Sequence, residues 1–241
     1  MTHTRWIGMA LVTGLLLLWS APGLSQDAAP GLVKKAVKLY KKKKYGEAHL
    51  LLEAALKDNP GYTKIHMHLA QTLCQLRVKG KICEHEALRS TIMRHLFKAK
   101  LSRRQKSRLH RNKALAPIRD TFAYQRLRGL SPRKTKNVIK ILCNVSWYGP
   151  LILGKGASSG IDFKKKGQMT FWMMKDGAKQ TFKGTWSSRS NLVFIKLEKA
   201  IDGIKELQGA LYPTGELVLP GLPGPFYDDP HDCVTKKDSA F

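Results

Sequence analysis

Acidic residues are scarce in this chain of 241 residues, which carries 17 Asp and Glu against 43 Lys and Arg and has a formal net charge of +26. The deficit is uneven: residues 25–137 hold 28 basic and 7 acidic residues, whereas residues 138–241 hold 14 and 10. A positive field of this size favours anionic partners and raises their encounter rate, without indicating a fold. The alternative is that the lysines only keep the protein soluble.

Catalytic signatures are also missing. No serine lies in a nucleophile elbow, and no phosphate-binding glycine loop follows a predicted strand. The composition of residues 154–156 and 158–160 is typical of flexible loops instead. We therefore predict a protein that is not an enzyme and needs no cofactor.

A metal site is not expected either. His66, His68, Cys74, Cys83 and His85 share one stretch of the chain, and such side chains bind zinc. However, His66 and His68 are two residues apart on a predicted helix, so their side chains diverge. Cysteines of exported proteins also more often pair with each other.

The chain has only one long apolar run, from residue 7 to residue 19, which Arg5 precedes. No later stretch approaches the ~20 apolar residues that a membrane helix needs. Gly23 and Ser25 then follow at the spacing that signal peptidase recognises. We predict a signal peptide over residues 1–25, export to the periplasm or the extracellular space, and a flexible lead-in at residues 26–30. An uncleaved N-terminal anchor is the alternative.

Cysteine is rare, with four residues in the chain. In an oxidising compartment an even set predicts disulfides, and three pairings are possible. We favour Cys74–Cys83 and Cys143–Cys233, because each pair stays inside one predicted domain. The second pair closes the longer loop and should remove more entropy from the unfolded chain.

Residues 31–130 have the apolar spacing of helices. The first predicted helix begins at Gly31, and a turn at residues 41–46 separates it from a second. An Asn-Pro-Gly sequence at residues 59–61 ends the second helix, and a third covers residues 62–76.

Further helices are predicted before residues 131–137, which we interpret as a linker. One covers residues 83–98, and Ser102 is expected to cap a short basic helix that runs through His110. Pro117 is expected to open another helix, which Gly129 ends.

The spacing of small and large residues in the first helices resembles the tetratricopeptide repeat. The match covers residues 31–76, and Ala70 lies 34 residues after Ala36, which is the period of that repeat. Small residues let paired helices approach closely, whereas large ones fill the groove between them. The resemblance implies a helical stack that binds a protein or peptide in its concave face. The other positions that match are Tyr45, Ala48, Leu52, Ala55, Pro60 and Leu73.

From Val138 the pattern changes to short alternating or β-branched runs. We predict a small antiparallel β domain over residues 138–233 and a tail at residues 234–241, which makes the fold class α+β. The predicted strands are residues 139–147, 168–174, 180–186, 192–197, 206–211 and 216–219. Turns are expected at Gly167 and at residues 176–177, 190–191, 202–203 and 214–215.

The β half resembles the small lipocalin-like domains of bacterial envelope proteins. The resemblance lies in Phe163 with Gly167 before a strand, in Gly184-Thr185-Trp186 on a middle strand, and in Gly215 before the last strand. It implies an antiparallel barrel or sandwich. Small barrels are usually filled by side chains, so a pocket for an apolar ligand is the less common outcome.

These patterns favour a binding or adaptor protein of the cell envelope. Its partner would be a protein or peptide in the helical groove, or an anionic envelope surface or polymer, whereas nucleic acid is disfavoured by the export signal. A small-molecule or lipid carrier that uses the β barrel is the alternative, and the oligomeric state stays open. The predicted partner-binding residues are Lys35, Lys38, Lys42, Arg77, Arg103, Arg104, Arg108 and Arg111.

Overall fold

The computed structural model describes residues 28–76, 86–152 and 156–228. It confirms the α+β class, because N-terminal helices precede an antiparallel, nearly closed barrel-like sheet. The predicted signal peptide lies outside the described residues, as do Arg77 and the tail. None of the helices in the described ranges is long and apolar enough to cross a membrane.

Four helices form a stack in which each packs on the next. They are α1 (Ala28–Lys41), α2 (Tyr45–Asp58), α3 (Thr63–Leu76) and α4 (Glu86–Lys98). Their bounds agree with those expected from the apolar spacing except at the first helix. The flexible lead-in predicted up to residue 30 is wrong in its last part, because α1 already begins at Ala28. Small residues allow the close approach of the first helices, since the buried core between them contains Ala36, Ala48, Ala55 and Ala70.

The segment after α4 consists of shorter helices than the sequence indicates. Helix α5 (Arg103–Arg108) leads into two 3-10 turns, Leu109–Arg111 and Lys113–Ile118, and then α6 (Phe122–Leu127). The prediction that Pro117 opens a helix is wrong, because it lies inside the second 3-10 turn. Thr121 begins α6 instead, since its hydroxyl accepts a hydrogen bond from Tyr124 N.

The first predicted strand, residues 139–147, is also wrong in all but its last residue. Residues up to Asn144 form α7 (Thr135–Asn144), which begins inside the predicted linker. Val138, Ile141, Leu142 and Val145 are all buried. Their spacing is that of one helix face, so packing of this face against the sheet outweighs the β propensity of the branched residues.

The sheet has seven strands in the order β1-β4-β5-β6-β7-β8-β9, and every neighbouring pair is antiparallel. A separate ladder joins β2 to β3. The flexible loop predicted at residues 158–160 is wrong, since Ser159 is fully buried on a strand. The strands are β1 (Trp147–Tyr148), β2 (Leu151–Ile152), β3 (Gly156–Ala157), β4 (Ser159–Phe163), β5 (Gln168–Lys175), β6 (Ala178–Arg189), β7 (Leu192–Ile201), β8 (Ile204–Leu211) and β9 (Leu217–Val218).

A short segment after β9 joins the two edges of the sheet. Tyr227 exchanges two backbone hydrogen bonds of 2.8 Å with Tyr148 of β1, and Phe226 exchanges two of 2.9 Å with Leu217 of β9. Edge strands expose unpaired backbone groups, and this segment pairs both edges. It therefore closes the barrel.

The helices and the barrel share one core. Phe122 of α6 and the buried face of α7 belong to the same hydrophobic cluster as Phe171 and Trp186 of the sheet. The residue after the closing segment, Asp228, also contacts the helices. Its carboxylate accepts a 2.7 Å hydrogen bond from Phe122 N, and its carbonyl accepts one of 3.0 Å from the guanidinium of Arg89. The closing segment is thus tied to α4 and α6.

The predicted disulfides each include one residue outside the described ranges, Cys83 or Cys233. Within these ranges the thiols of Cys74 and Cys143 are free. The pairings therefore stay predictions.

Candidate basic binding surface

The basic helix α5 is held by its own first turn. Ser102 Oγ accepts a hydrogen bond of 3.3 Å from Gln105 N, and Gln105 Oε1 accepts one of 2.8 Å from Ser102 N. This reciprocal capping satisfies two backbone donors of a helix that buries no residue of its own. The predicted capping role of Ser102 is confirmed, and the helix is fixed without using its arginines.

The arginines of this segment form what we call the α5 surface, which consists of Arg103, Arg104, Arg108 and Arg111. All four side chains are exposed. None forms an ion pair with a carboxylate in the part of the chain that the structure describes. The sequence offers no acidic partner nearby in the chain, since residues 87–119 contain eleven Lys and Arg and no Asp or Glu.

Charges in the barrel are arranged differently. Lys175 lies 3.0 Å from Asp202, and Lys196 lies 3.1 Å from Glu206 on the paired strand. These pairs are exposed and contribute little stability, but they cancel much of the local field. The uncompensated positive field is therefore concentrated on the helical part.

The other predicted binding residues that the structure describes lie elsewhere. Lys35 and Lys38 are exposed on α1, and Lys42 is exposed in the turn that follows. The next lysine, Lys44, pairs with Glu47 at 2.9 Å. Helix α1 packs mainly on α2, whereas the second 3-10 turn, which follows α5, packs on α3. The predicted residues that the structure describes therefore lie in two separate parts of the helical segment.

The α5 surface offers chemistry for anions. Each guanidinium presents up to five donors in a planar fork that matches carboxylate and phosphate groups. Exposed arginines without partners release bound counterions when a polyanion replaces them, so binding by such a surface weakens as salt rises.

The sequence did not predict a partly buried pair of histidines. His66 Nδ1 of α3 lies 3.0 Å from His95 Nδ1 of α4, and His66 is only 5% exposed. Burial lowers the pKa of His95 to about 4, with smaller contributions from the nearby His66, Lys98, Arg94 and His49. The only signal in the sequence was that His95 shares the inward face of Ile92 and Leu96.

Two features of the barrel concern the alternative function, a small-molecule or lipid carrier. Its interior is occupied by large buried side chains such as Trp147, Phe171 and Phe226. A depression of about 460 Å³ lies over β6, β7 and β8, where exposed residues such as Thr185 and Gln208 line it. It is thus an open surface depression on the outer side of the sheet.

Comparison with protein-family models, with curated proteins and with solved structures finds no match. The resemblances to the tetratricopeptide repeat and to lipocalin-like domains therefore stay predictions.

Proposed function

We propose that this chain is an exported, non-enzymatic binding protein whose α5 surface holds an anionic partner of the cell envelope, either an acidic protein or an acidic polymer. The observation that carries the proposal is the set of four exposed arginines without acidic partners among the described residues. Export is inferred from the N-terminal sequence.

Two features of the helix support a binding role over simple solubility. Arg103 and Arg104 occupy the first turn of α5, where a positive charge opposes the helix dipole. A sequence selected for stability alone would place acidic residues there. The short helix also buries none of its residues, so its exposed arginine side chains can contact a partner.

A pull-down from cell-envelope extract tests the proposal, with a charge-reversed variant in which the four arginines of the α5 surface are replaced by Glu. The matched control reverses four exposed lysines of the barrel, namely Lys164, Lys165, Lys166 and Lys183. We expect the wild type and the control to retain the same partner, and the α5 variant to lose it. Equal loss by both variants would mean that net charge alone drives binding, and would contradict the proposal.

A further inference from the structure

A concave cavity lies where the end of α2, the start of α3 and the end of α4 meet. Its volume is about 320 Å³, and its apolar wall includes Leu56 and Pro60. Its polar lining consists of Thr63, His66, Lys98 and Lys100. No carboxylate is among the residues that line it in the described ranges. None of these residues belongs to the α5 surface.

The lining concentrates positive charge beside a buried imidazole. The ammonium groups of Lys98 and Lys100 are on exposed side chains, whereas His66 is 5% exposed. Burial, followed by the charge of Lys98, lowers the pKa of His66. The cavity therefore holds cationic groups that no protein carboxylate at the site neutralises.

In one of its two tautomeric arrangements, the histidine pair has a donor for an anion in this cavity. Two neutral imidazoles that meet through their Nδ1 atoms at 3.0 Å need one ring to donate and the other to accept. If His66 accepts at Nδ1, its proton is on Nε2. An anion in the cavity would stabilise this tautomer, because Nε2–H could then donate to it.

The backbone of Lys100 has an unfavourable conformation. Its φ is +46°, in the left-handed region that favours glycine, two residues after the end of α4. A left-handed residue commonly ends a helix, and here it places a lysine at the cavity. Lys43, with a φ of +62°, is also an exposed left-handed lysine but does not line the cavity. It therefore serves as a natural control.

We propose that this cavity binds a phosphate-type oxyanion, either free or carried on a small molecule, between Lys98, Lys100, Thr63 and His66. Lysine ammonium groups act as point charges toward tetrahedral oxyanions, whereas the planar fork that favours carboxylates is supplied by arginine, and no arginine lines this cavity. The volume exceeds that of a single oxyanion, so part of a small carrier molecule also fits.

The site should respond to pH, since an anion stabilises protonated histidine. The groups that face His95 are His66 on α3, His49 on α2, and Arg94 and Lys98 on α4, and each lowers its pKa. Glu53 Oε1 lies 3.6 Å from His49 Nε2. A bound anion would offset these positive charges. The affinity of the cavity for the anion should therefore rise as the pH falls toward the range in which the histidines protonate.

Calorimetric titration of inorganic phosphate at pH 7.5 tests the site. Replacing Lys100→Gly removes one ammonium and relieves the left-handed strain, so we expect phosphate affinity to fall about tenfold while the melting temperature stays equal or rises. The control Lys43→Gly relieves the same strain outside the cavity and should leave the affinity unchanged. Unchanged binding by Lys100→Gly, or an equal loss in Lys43→Gly, overturns the proposal.

Sulfate is the probe for the pH response, because it stays dianionic across the range in which phosphate titrates. Its affinity should rise between pH 7.5 and pH 5.5, and NMR titration should show that sulfate raises the pKa of both His66 and His95. A sulfate affinity independent of pH, with both histidine pKa values unmoved, contradicts the involvement of the pair.

The site goes beyond the proposed function and is separable from it. The variant with four arginines of the α5 surface reversed should still bind phosphate, whereas Lys100→Gly should still retain the envelope partner. If phosphate binding disappears only with the α5 reversal, the oxyanion belongs to that surface and the cavity proposal fails.

Discussion

The contact between His66 and His95 links the stability of the helical stack to pH. The two rings pack between α3 and α4 with their centroids 5.2 Å apart, and the charged groups nearest to His95 are positive. A histidine in such surroundings stays neutral well below its usual pKa. The folded chain therefore binds fewer protons than the unfolded chain over a defined pH range.

The first prediction is the pH dependence of stability over this range. The pKa of His95 falls from about 6.5 in the unfolded chain to about 4 in the folded protein. Between these values the unfolded state binds more protons, so stability should rise with pH. The loss on acidification from pH 6.5 to pH 4 should be below about 3 kcal/mol, because solvent screens this partly exposed ring. Denaturant unfolding as a function of pH measures the slope.

Replacing His95→Gln provides the control for this slope. Glutamine keeps a polar side chain but does not titrate, so the variant should lose most of the pH dependence between pH 4 and pH 6.5. A slope equal to that of the wild type would place the acid sensitivity in other groups.

Gly215 gives a second prediction at the same scale. Its φ is +107°, and a Cβ there would lie 2.7 Å from the ring of Phe122. Gly215→Ala should therefore combine backbone strain with overpacking and cost about 3 kcal/mol, or roughly 6–12 °C in melting temperature.

The comparison is Gly177→Ala. Gly177 also has a positive φ, +78°, but a Cβ there meets open space. It should lose only about 1 kcal/mol. Similar losses in both variants, measured by thermal unfolding, would mean that the contact with Phe122 does not matter for stability.

Turns depend on neighbouring residues and were predictable from the sequence. Contacts between residues that are distant in the chain were not. The turns expected at Asp176, Ser190 and Asp202 all have left-handed residues in the structure. By contrast, His66 and His95 are 29 positions apart in the chain, and Arg89 meets Asp228 across 139 positions. No spacing rule encodes such contacts, because they depend on how the elements pack.

At the scale of elements, α7 shows where a β-propensity argument fails. Val138, Ile141, Leu142 and Val145 recur with the helical period, yet the run of branched residues was interpreted as a strand. The period was the better guide, since burial of one face contributes more than intrinsic preference. The strands with clear alternation and turn residues at both ends, such as β5 and β7, were predicted correctly.

Helix α5 allows stability and binding to be separated. Arg103 lies at the start of the helix and Arg108 at its end. A glutamate is favourable at the start and unfavourable at the end because of the helix dipole. Arg103→Glu should therefore raise the stability by a few tenths of a kcal/mol, and Arg108→Glu should lower it by about as much.

Both substitutions should weaken the affinity for a polyanion to a similar degree, since each removes one exposed cation and adds an anion. Chemical denaturation and binding to polyglutamate measure the two effects. A polyanion affinity that follows helix stability, falling for Arg108→Glu and rising for Arg103→Glu, would show that helix formation rather than charge controls binding.

At the scale of the whole molecule, the helices and the barrel are joined through a common core and a shared closing segment. Phe226 and Tyr227 close the barrel, and the adjacent Asp228 contacts α4 and α6. The helical part nevertheless carries most of the excess charge, since 28 of the 43 basic residues lie between residues 25 and 137. The barrel therefore acts as a support, and most of the basic side chains lie on the helices.

The most direct test of this account is the dissociation constant for polyglutamate, measured at several salt concentrations for the two charge-reversed variants with equal net charge. Reversal of the four arginines of the α5 surface should weaken binding at least about tenfold at low salt and flatten the salt dependence. Reversal of Lys164, Lys165, Lys166 and Lys183 should leave both quantities close to those of the wild type. Equal losses in the two variants would contradict a defined basic surface and leave only the net charge of the chain.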